Sequence, residues 1–390
     1  MKLIILAAYP VQYHAPVFRE ISRQLAQKHH ECLVIYLSNF SIQGYLDQEF
    51  GTHITWDEPL LAGYRSLTLN SSRISQPLHF FDLKSPGWKQ IIQQEQPNRL
   101  LVTNLNYQGM VSATIQARLM GIPCTLRVET NDLAFSRTKL KDVARKLIYQ
   151  NFYRLFDSAI AIGSLNKEHL ISHGISSGNI EMSYCCVSNR FQYLHSKNKQ
   201  NLRQKLRKQL GFNDEQTVIL FSGKLISKKN PQLLLEAASI MPENKHRYLG
   251  LLYLGSGYLE ASLKLMAESL PALKVHFAGF KNQQELPPYY LAADALVLPS
   301  NREGETWGLV VNEALQAGLP CIVTNAVGCS VDFRHFPEFQ IIAERDADAL
   351  AKAIEKIMQI PRIFERYDLL LKKFSIEQCS QTITSFILRL

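Results

Sequence analysis

The chain has 390 residues, 46% of them hydrophobic and 20% charged, which is a globular composition long enough for two domains and excludes a disordered segment. Its formal charge of +9 suits an anionic partner: nucleic acid, an anionic membrane surface or a phosphorylated substrate. No run approaches the roughly 18 apolar residues of a membrane span, and the seven cysteines, scattered apart from Cys185–Cys186 and without a CxxC repeat, suggest neither zinc nor a disulfide framework. A reducing cytoplasm is the simplest home for such thiols.

The opening "MKLIILAAYP" has the apolar run of a weak signal peptide but no small-residue cleavage site, and it reads better as a buried strand. A helix over "APVFREISRQLAQKH" and a strand "ECLVIYLS" follow. The segment Trp56 to Pro86 shows no clear period and is not placed. Then come the strand "NRLLVTN", a helix over "GMVSATIQARLMG", the strand "PCTLRVE", a basic helix from Thr138 to Phe156 and the strand "SAIAIGS". Apolar runs separated by helices imply a parallel sheet covered on both faces. From Tyr184 to Phe212 the pattern weakens. Leu202, Leu206 and Leu210 recur at helical spacing within "SKNKQNLRQKLRKQLG", which reads as a solvated helix near a domain boundary or, alternatively, as a nucleic-acid arm.

A second alternation begins at "TVILFSGKL", a strand entering a loop. It continues with the helix "NPQLLLEAASIM", the strand "RYLGLLYLG" opening into "GSGYLEASLKLMAESL", the strand "KVHFAGF", a short helix "QELPPYYLAA" and the strand "ALVLPS". After "NREGETWG" come a helix over Leu309 to Ala317, the strand "PCIVTNA", the helix "DADALAKAIEKIMQI" and a final amphipathic helix "SIEQCSQTITSFILRL". Gly318 stands where a C-cap glycine belongs, and Pro320 stops the helix. Two doubly wound halves place ligands beyond the carboxyl ends of the strands, in a cleft between domains.

Three strand-end loops carry chemistry. In "NREGETWGLVVNEALQAGLP", Thr306, Trp307 and Gly308 lie at a helix N-terminus, where unsatisfied amides and the dipole favour an anion. Glu305 and Glu313 flank that point and could accept hydrogen bonds from two hydroxyl-rich groups on either side of a phosphate, which describes a nucleotide sugar. Equally, both are ordinary surface charges at a helix start. In "FSGKLISKKNP", Gly223 follows a strand, and Lys224 and Lys229 could neutralise a diphosphate leaving group without a metal, unless they are merely solvated. In "YLGSGYLE", Gly255 and Gly257 allow close backbone approach to a ligand, but the third glycine of a dinucleotide fingerprint is missing. Asp346 and Asp348 spell DxD, yet they directly precede a helix and read as a cap.

The run from "SGKLISKKNPQLLLEA" through "LGSGYLE" to "FAGFKNQQELPPYYLAADALVLPSNREGETWGLVVNEALQAGLPCIVTNAVG" resembles the retaining glycosyltransferases of family 4, with weaker echoes in "YPVQYHAPVFRE" and "PCTLRVETND". The resemblance implies an α/β protein of the GT-B fold, with two Rossmann-like, doubly wound parallel-sheet domains facing a central cleft. Residues 1–190 would be the acceptor-binding domain, 191–213 a linker and 214–370 the donor-binding domain, with 371–390 a C-terminal helix crossing back onto the first domain. It further implies that Glu305 faces the donor sugar, Glu313 holds the ribose, Lys224 and Lys229 bind the diphosphate, and Phe280 and Lys281 cradle the base. Gly223, Gly255, Gly257, Thr306, Trp307, Gly308 and Leu309 would complete the donor site. Arg is usual where Lys224 stands, and Lys keeps the charge but loses the bidentate fork. Glu129 occupies the place of a His found in many relatives. It either orients or deprotonates an acceptor hydroxyl, with Arg127 or Arg137 adjusting its charge and Arg127 among the acceptor-binding residues, or pairs structurally with Arg127. His14, in "VQYHAP", lies at the strand end facing the cleft, touching acceptor or donor, or else is a loop His without such a role.

The expected reaction moves a sugar from a UDP- or GDP-linked donor onto a glycan or lipid-linked acceptor, with no cofactor or metal, in bacterial surface polysaccharide synthesis. Arg137, Lys139, Lys141, Arg145, Lys146 and Arg154 suit an anionic membrane, giving a cytoplasmic enzyme peripheral to the inner face, although a solvated basic helix explains them as well. The rivals are a nucleotide-sugar epimerase of the same fold and a non-catalytic sugar- or nucleotide-binding protein. No nucleic-acid motif is visible.

Overall fold

The opening apolar run forms strand β1 (Lys2–Ala7), buried at every residue after the first. The computed structural model describes residues 1–70 and 78–390, so part of the unplaced Trp56–Pro86 segment lies outside the described residues. The first domain continues through α1 (Ala15–Gln27), β2 (Glu31–Ser38), an antiparallel hairpin of β3 (Tyr45–Asp47) and β4 (Thr52–Ile54), β5 (Arg65–Asn70) and α2 (Trp88–Glu95). It is completed by β6 (Arg99–Val102), α3 (Gln108–Leu119), β7 (Cys124–Leu126), α4 (Lys139–Tyr153), β8 (Ser158–Ala161), α5 (Ser164–Ser172) and β9 (Ile180–Met182). Its sheet runs β5-β2-β1-β6-β7-β8-β9, all parallel.

The second domain opens with α6 (Ser196–Leu210), β10 (Thr217–Ser222), α7 (Gln232–Ile240), α8 (Glu243–His246), β11 (Leu249–Leu254), α9 (Glu260–Glu268), β12 (Lys274–Phe277) and α10 (Leu286–Ala292). Then follow β13 (Ala295–Leu298), α11 (Leu309–Gln316), β14 (Cys321–Thr324), α12 (Ser330–Phe333), β15 (Gln340–Ile342) and α13 (Ala347–Ile357). Its six parallel strands run β12-β11-β10-β13-β14-β15. The last helix, α14 (Ile376–Arg389), returns to the first domain. Both expected doubly wound sheets and the returning helix are present.

Period-two burial explains the layering. Ile4 and Leu6 of β1 face Met110, Ala113 and Ala117 of α3. Leu3 and Ile5 face Phe18, Ile21 and Leu25 of α1 together with Ile383, Phe386 and Ile387 of α14. In β10, Val218 and Leu220 face Val311 and Leu315 of α11, whereas Ile219 and Phe221 face α7 and α13. Each such side chain contributes roughly 1.5–3 kcal/mol on burial, so the sheet centres are the stable parts. Asp346 caps α13, accepting from the Ala349 amide at 2.8 Å, and its DxD spelling is structural.

The segment expected to be a linker with a solvated helix is not free, although most of the helix is exposed as expected. Helix α6 packs against α10, and Arg207 is only 1% exposed. Arg203 and Arg207 donate to Asp294 at 2.7 and 3.0 Å and to the last carbonyls of α10, while Asp294 also accepts from the Val218 amide at 2.8 Å. The basic residues answer unsatisfied carbonyls at a helix end, which a one-dimensional charge pattern does not display.

Strand order reverses between β1 and β6 in one sheet and between β10 and β13 in the other. Loops leaving those strands must diverge, and each divergence opens a crevice at the carboxyl edge. The two crevices face each other across the domain boundary, so the fold itself defines where to look.

Candidate active site

On the first domain, the loops after β1 and β6 and the segment after β7 enclose a pocket of about 330 Å³ lined by Tyr9, His14, Asn104, Tyr107 and Glu129, with Tyr149 and Tyr153 from α4. Gly304 and Thr306 close it from the second domain. His14 Nε2 lies 2.9 Å from Glu129 Oε1, and Arg127 Nη1 lies 3.7 Å from the same oxygen. Burial pushes the Glu129 carboxyl up, but His14 and Arg127 outweigh it and hold it below the usual range. Glu129 is therefore an anion that can orient a hydroxyl through His14 or directly. Arg127 is buried behind it and lines neither pocket.

On the second domain a pocket of about 200 Å³ is lined by Gly223, Gly255, Phe280, Lys281, Leu309 and Glu313, six of the residues expected at the donor site. Helix α11 points its N-terminus here: Leu309 and Val310 line the pocket and no side chain caps the helix. Glu313 is half-buried, accepts from the Tyr290 hydroxyl at 2.5 Å, and has its carboxyl pushed up chiefly by desolvation. Gly223, at φ 146°, leaves the space beside Lys229 open.

Glu305, 7% exposed, lies between Gly304 and Thr306 of the first-domain pocket in sequence but lines neither pocket itself. It is paired with Lys229, and Ser300 Oγ donates to it at 3.1 Å. Burial raises its carboxyl, but Lys229, Lys228 and Ser300 together hold it below the ordinary value. Tyr13 lines both pockets and forms the partition between them. Its phenol is kept protonated by burial.

Several expected residues stand elsewhere. The Trp307 indole is 4% exposed, packs on Phe333 and donates to Asn312 Oδ1 at 2.8 Å, which leaves only its backbone for the anion site expected at this helix start. Gly308, at φ 99°, is tight against Val327 and Leu298, so a side chain there would collide with the core. Thr306 lines the first-domain pocket rather than the donor side. Gly255 and Gly257 do permit close approach, but of protein backbone: a Cβ at either would meet Gly223 O or Leu225 O, at 2.0 and 2.4 Å. They lace the loop after β11 to the loop after β10. Lys224 lines neither pocket and is held by Asp47 and Glu49 from the first domain.

Sequence reasoning missed Gln12, Tyr13, Phe50, Trp56, Arg190 and Gln283, all of which line the second pocket. Phe50 and Trp56 lie in and just after the β3–β4 hairpin, which has no sustained period. The available signal was two aromatics interleaved with Asp47, Glu49, Asp57 and Glu58 in an otherwise unplaced stretch. Among the described residues, one group could hold a metal ion: Asp132, His169 and His173 offer atoms within 4.8 Å of one another. Those atoms already serve a hydrogen-bond network. Arg145 donates to Asp132 at 2.7 Å, His169 Nδ1 lies 2.9 Å from Asp132, and His173 Nδ1 lies 2.7 Å from the His169 carbonyl. All seven cysteines are free thiols.

Two facing doubly wound domains with a returning C-terminal helix are the GT-B fold, and known proteins bear this out. A crystal structure of HepE from Anabaena in complex with UDP and glucose superposes with a TM-score of 0.70 at 17% identity, covering 100% of both chains. The glycosyltransferase WaaG, involved in lipopolysaccharide biosynthesis, superposes with a TM-score of 0.58 at 14% identity, covering 99% of this chain and 95% of that one. Residues 203–369 match the family Glycosyl transferases group 1. An Escherichia coli UDP-Gal:alpha-D-GlcNAc-diphosphoundecaprenol alpha-1,3-galactosyltransferase is 28% identical over 252 residues, 62% of each chain. A Mycobacterium tuberculosis GDP-mannose-dependent alpha-(1-6)-phosphatidylinositol monomannoside mannosyltransferase is 30% identical over 164 residues, 40% of this chain and 42% of the relative. These matches thus span less than two thirds of the relatives' lengths.

Proposed function

We propose that the protein is a retaining glycosyltransferase that moves a sugar from a nucleoside-diphosphate sugar, UDP- or GDP-linked, to a hydroxyl of a glycan or lipid-linked glycan. The observation that carries this reading is the pair of pockets on opposite domains, which share Tyr13 in their walls. A binding protein for one nucleotide sugar needs only the second pocket, and an epimerase needs no acceptor. The first pocket, with its His14–Glu129 pair, suits an acceptor and favours transfer. Relatives named for UDP-galactose and GDP-mannose support the donor class.

In this reading the base lies against Phe280 and Lys281, Glu313 receives the ribose hydroxyls, and the diphosphate sits at the N-terminus of α11 beside Lys229. The acceptor hydroxyl, oriented by His14 and Glu129, attacks from the face the diphosphate leaves, with Glu305 on the donor sugar and no covalent enzyme intermediate. Lys229 and the helix amides stabilise the leaving charge, a contact type worth roughly 3–4 kcal/mol. No metal or cofactor is required by these residues for that role. Surface-polysaccharide synthesis at the inner face of a bacterial membrane fits both the acceptor class and α4, which is exposed along Leu140, Val143, Leu147 and Ile148 and carries Lys139, Lys141 and Lys146. No helix among the described residues is long and apolar enough to cross a membrane.

Thermal-shift titration with UDP, GDP and their sugars tests the donor site, and sugar transfer to a supplied glycan acceptor tests the rest. Saturable stabilisation by one nucleotide is expected, and Glu129→Gln should keep it while lowering transfer at least about a hundredfold. Stabilisation by none of them would end the proposal.

A further inference from the structure

The β3–β4 hairpin belongs to the first domain, yet its turn lies on the second. Asp47 Oδ1 accepts from the Glu49 and Phe50 amides at 3.0 Å each, which fixes the turn. The turn carries both carboxylates to the loop after β10. Lys224 Nζ donates to Asp47 at 3.1 and 3.0 Å and to Glu49 at 2.6 Å, with the Phe50 ring 4.9 Å beneath it. Further bonds hold the strap in place. Ser256 Oγ donates to the Phe50 carbonyl at 2.9 Å, Asn282 Nδ2 to the Thr55 carbonyl at 2.6 Å, and the Gln284 amide to Asp57 at 2.9 Å.

One ammonium facing two carboxylates leaves the corner with a net negative charge. Three neighbouring cations are already taken: Lys229 is paired with Glu305, Lys281 with Glu285 at 3.7 Å, and Arg190 with Glu58 at 2.6 Å, while Lys228 acts on both Glu49 and Glu305 and offsets only part of the charge. A pocket for a diphosphate would thus be neutralised, in part from the opposite domain, before any ligand arrives. Like charges at this range repel, and a diphosphate entering beside Gly223 has to exchange with the carboxylates for the Lys224 ammonium. Glu49 is 59% exposed on its side chain, so that exchange is open to solvent and salt.

We propose that Asp47 and Glu49 compete with the donor's diphosphate for Lys224 and thereby set donor affinity. The inference rests on the donor-site reading above and adds to its diphosphate contacts Lys224, which Asp47 and Glu49 hold outside both pockets in the ligand-free protein. It makes the hairpin a determinant of affinity for the phosphates specifically, while Phe50, beside Phe280 at 5.2 Å, remains part of the pocket wall.

Calorimetric titration of the whole protein with UDP, GDP and the parent nucleosides, at low and high salt, is the test. The variants are Asp47→Asn with Glu49→Gln, and Glu49→Gln alone. Asn keeps the oxygen that the turn needs, and the exposed Glu49 position tolerates the change, so folding is preserved. The double variant should bind the cognate nucleoside diphosphate at least about fivefold tighter, the single variant should fall between, and nucleoside affinity should not move. Unchanged or weaker diphosphate binding by the double variant, or an equal gain for the nucleoside, overturns the competition while leaving the donor site standing. Binding of no nucleoside diphosphate by any of the three proteins overturns the functional reading and the competition with it.

Discussion

Glu313 shows how one side chain can trade stability for binding. Its carboxyl is raised above the ordinary value of 4.5 by burial, so the folded protein gives up that proton less readily than the unfolded chain. Stability is therefore lost as pH climbs from the unfolded value through the raised folded one, and the loss is complete above it. Glu313→Gln should raise Tm at pH 8 and leave it unchanged near pH 4, while weakening nucleoside-diphosphate binding about tenfold or more through the lost charged hydrogen bond. A Tm that falls at pH 8 would contradict this account. The placement of Glu305 and Glu313 around a helix start was legible from their spacing, because one residue must precede α11 and the other lie on it, but the spacing alone did not separate a ligand pair from two surface charges. The packing of Trp307 was not legible. The sequence speaks only for its amide at a helix N-terminus, and the fold alone reveals Asn312 taking the indole N–H and Phe333 covering the ring. His14 and Glu129, 115 residues apart, were each noticed separately, but nothing in the sequence reported the 2.9 Å between them.

Among elements, those with a sustained period were readable and the short or irregular ones were not. The strands β1, β2, β10 and β13 are apolar runs with burial on both faces. Helix α5 has no amphipathic stripe to find, and β3 and β4 are three residues each. Helix α4 was seen as basic, but its apolar side was assigned no neighbour, and in the structure Tyr153 is its one buried residue. Such a helix, rooted at the first-domain pocket through Tyr149 and Tyr153, is suited to meet an anionic bilayer. Sedimentation with vesicles containing anionic phospholipid should retain the wild type and release Leu140→Glu/Leu147→Glu, with binding weakened by about 1 kcal/mol for each basic residue removed in a Lys139→Ser/Lys141→Ser variant. Equal retention by neutral vesicles would remove the electrostatic part, and retention by none would remove the membrane.

At the scale of the molecule, the two sheets and their facing carboxyl edges followed from the alternation of strand and helix, whereas the contacts that bind the domains did not. Ser164 Oγ donates to Asp332 at 2.6 Å, the Gly304 amide to the Ala134 carbonyl at 2.6 Å, and Asn131 Nδ2 to the Thr306 carbonyl at 3.1 Å. These join polar residues that carry no pattern along the chain. Helix α14 is the largest such link, for it gives Ile383, Phe386 and Ile387 to the core beneath β1. Phe386→Ala should lower stability by about 3–5 kcal/mol, seen as a lower urea midpoint at unchanged m-value. A loss below about 1 kcal/mol would mean that the helix is dispensable there. The same packing has a bearing on synthesis. A nascent chain that has just produced β9 possesses every strand of its first sheet but not the helix that covers part of one face. At ~5–20 residues per second it waits roughly 10–40 s for α14, and during that interval the second domain acquires all of its own strands and can close. The half that leaves the ribosome first is thus the half that is finished last.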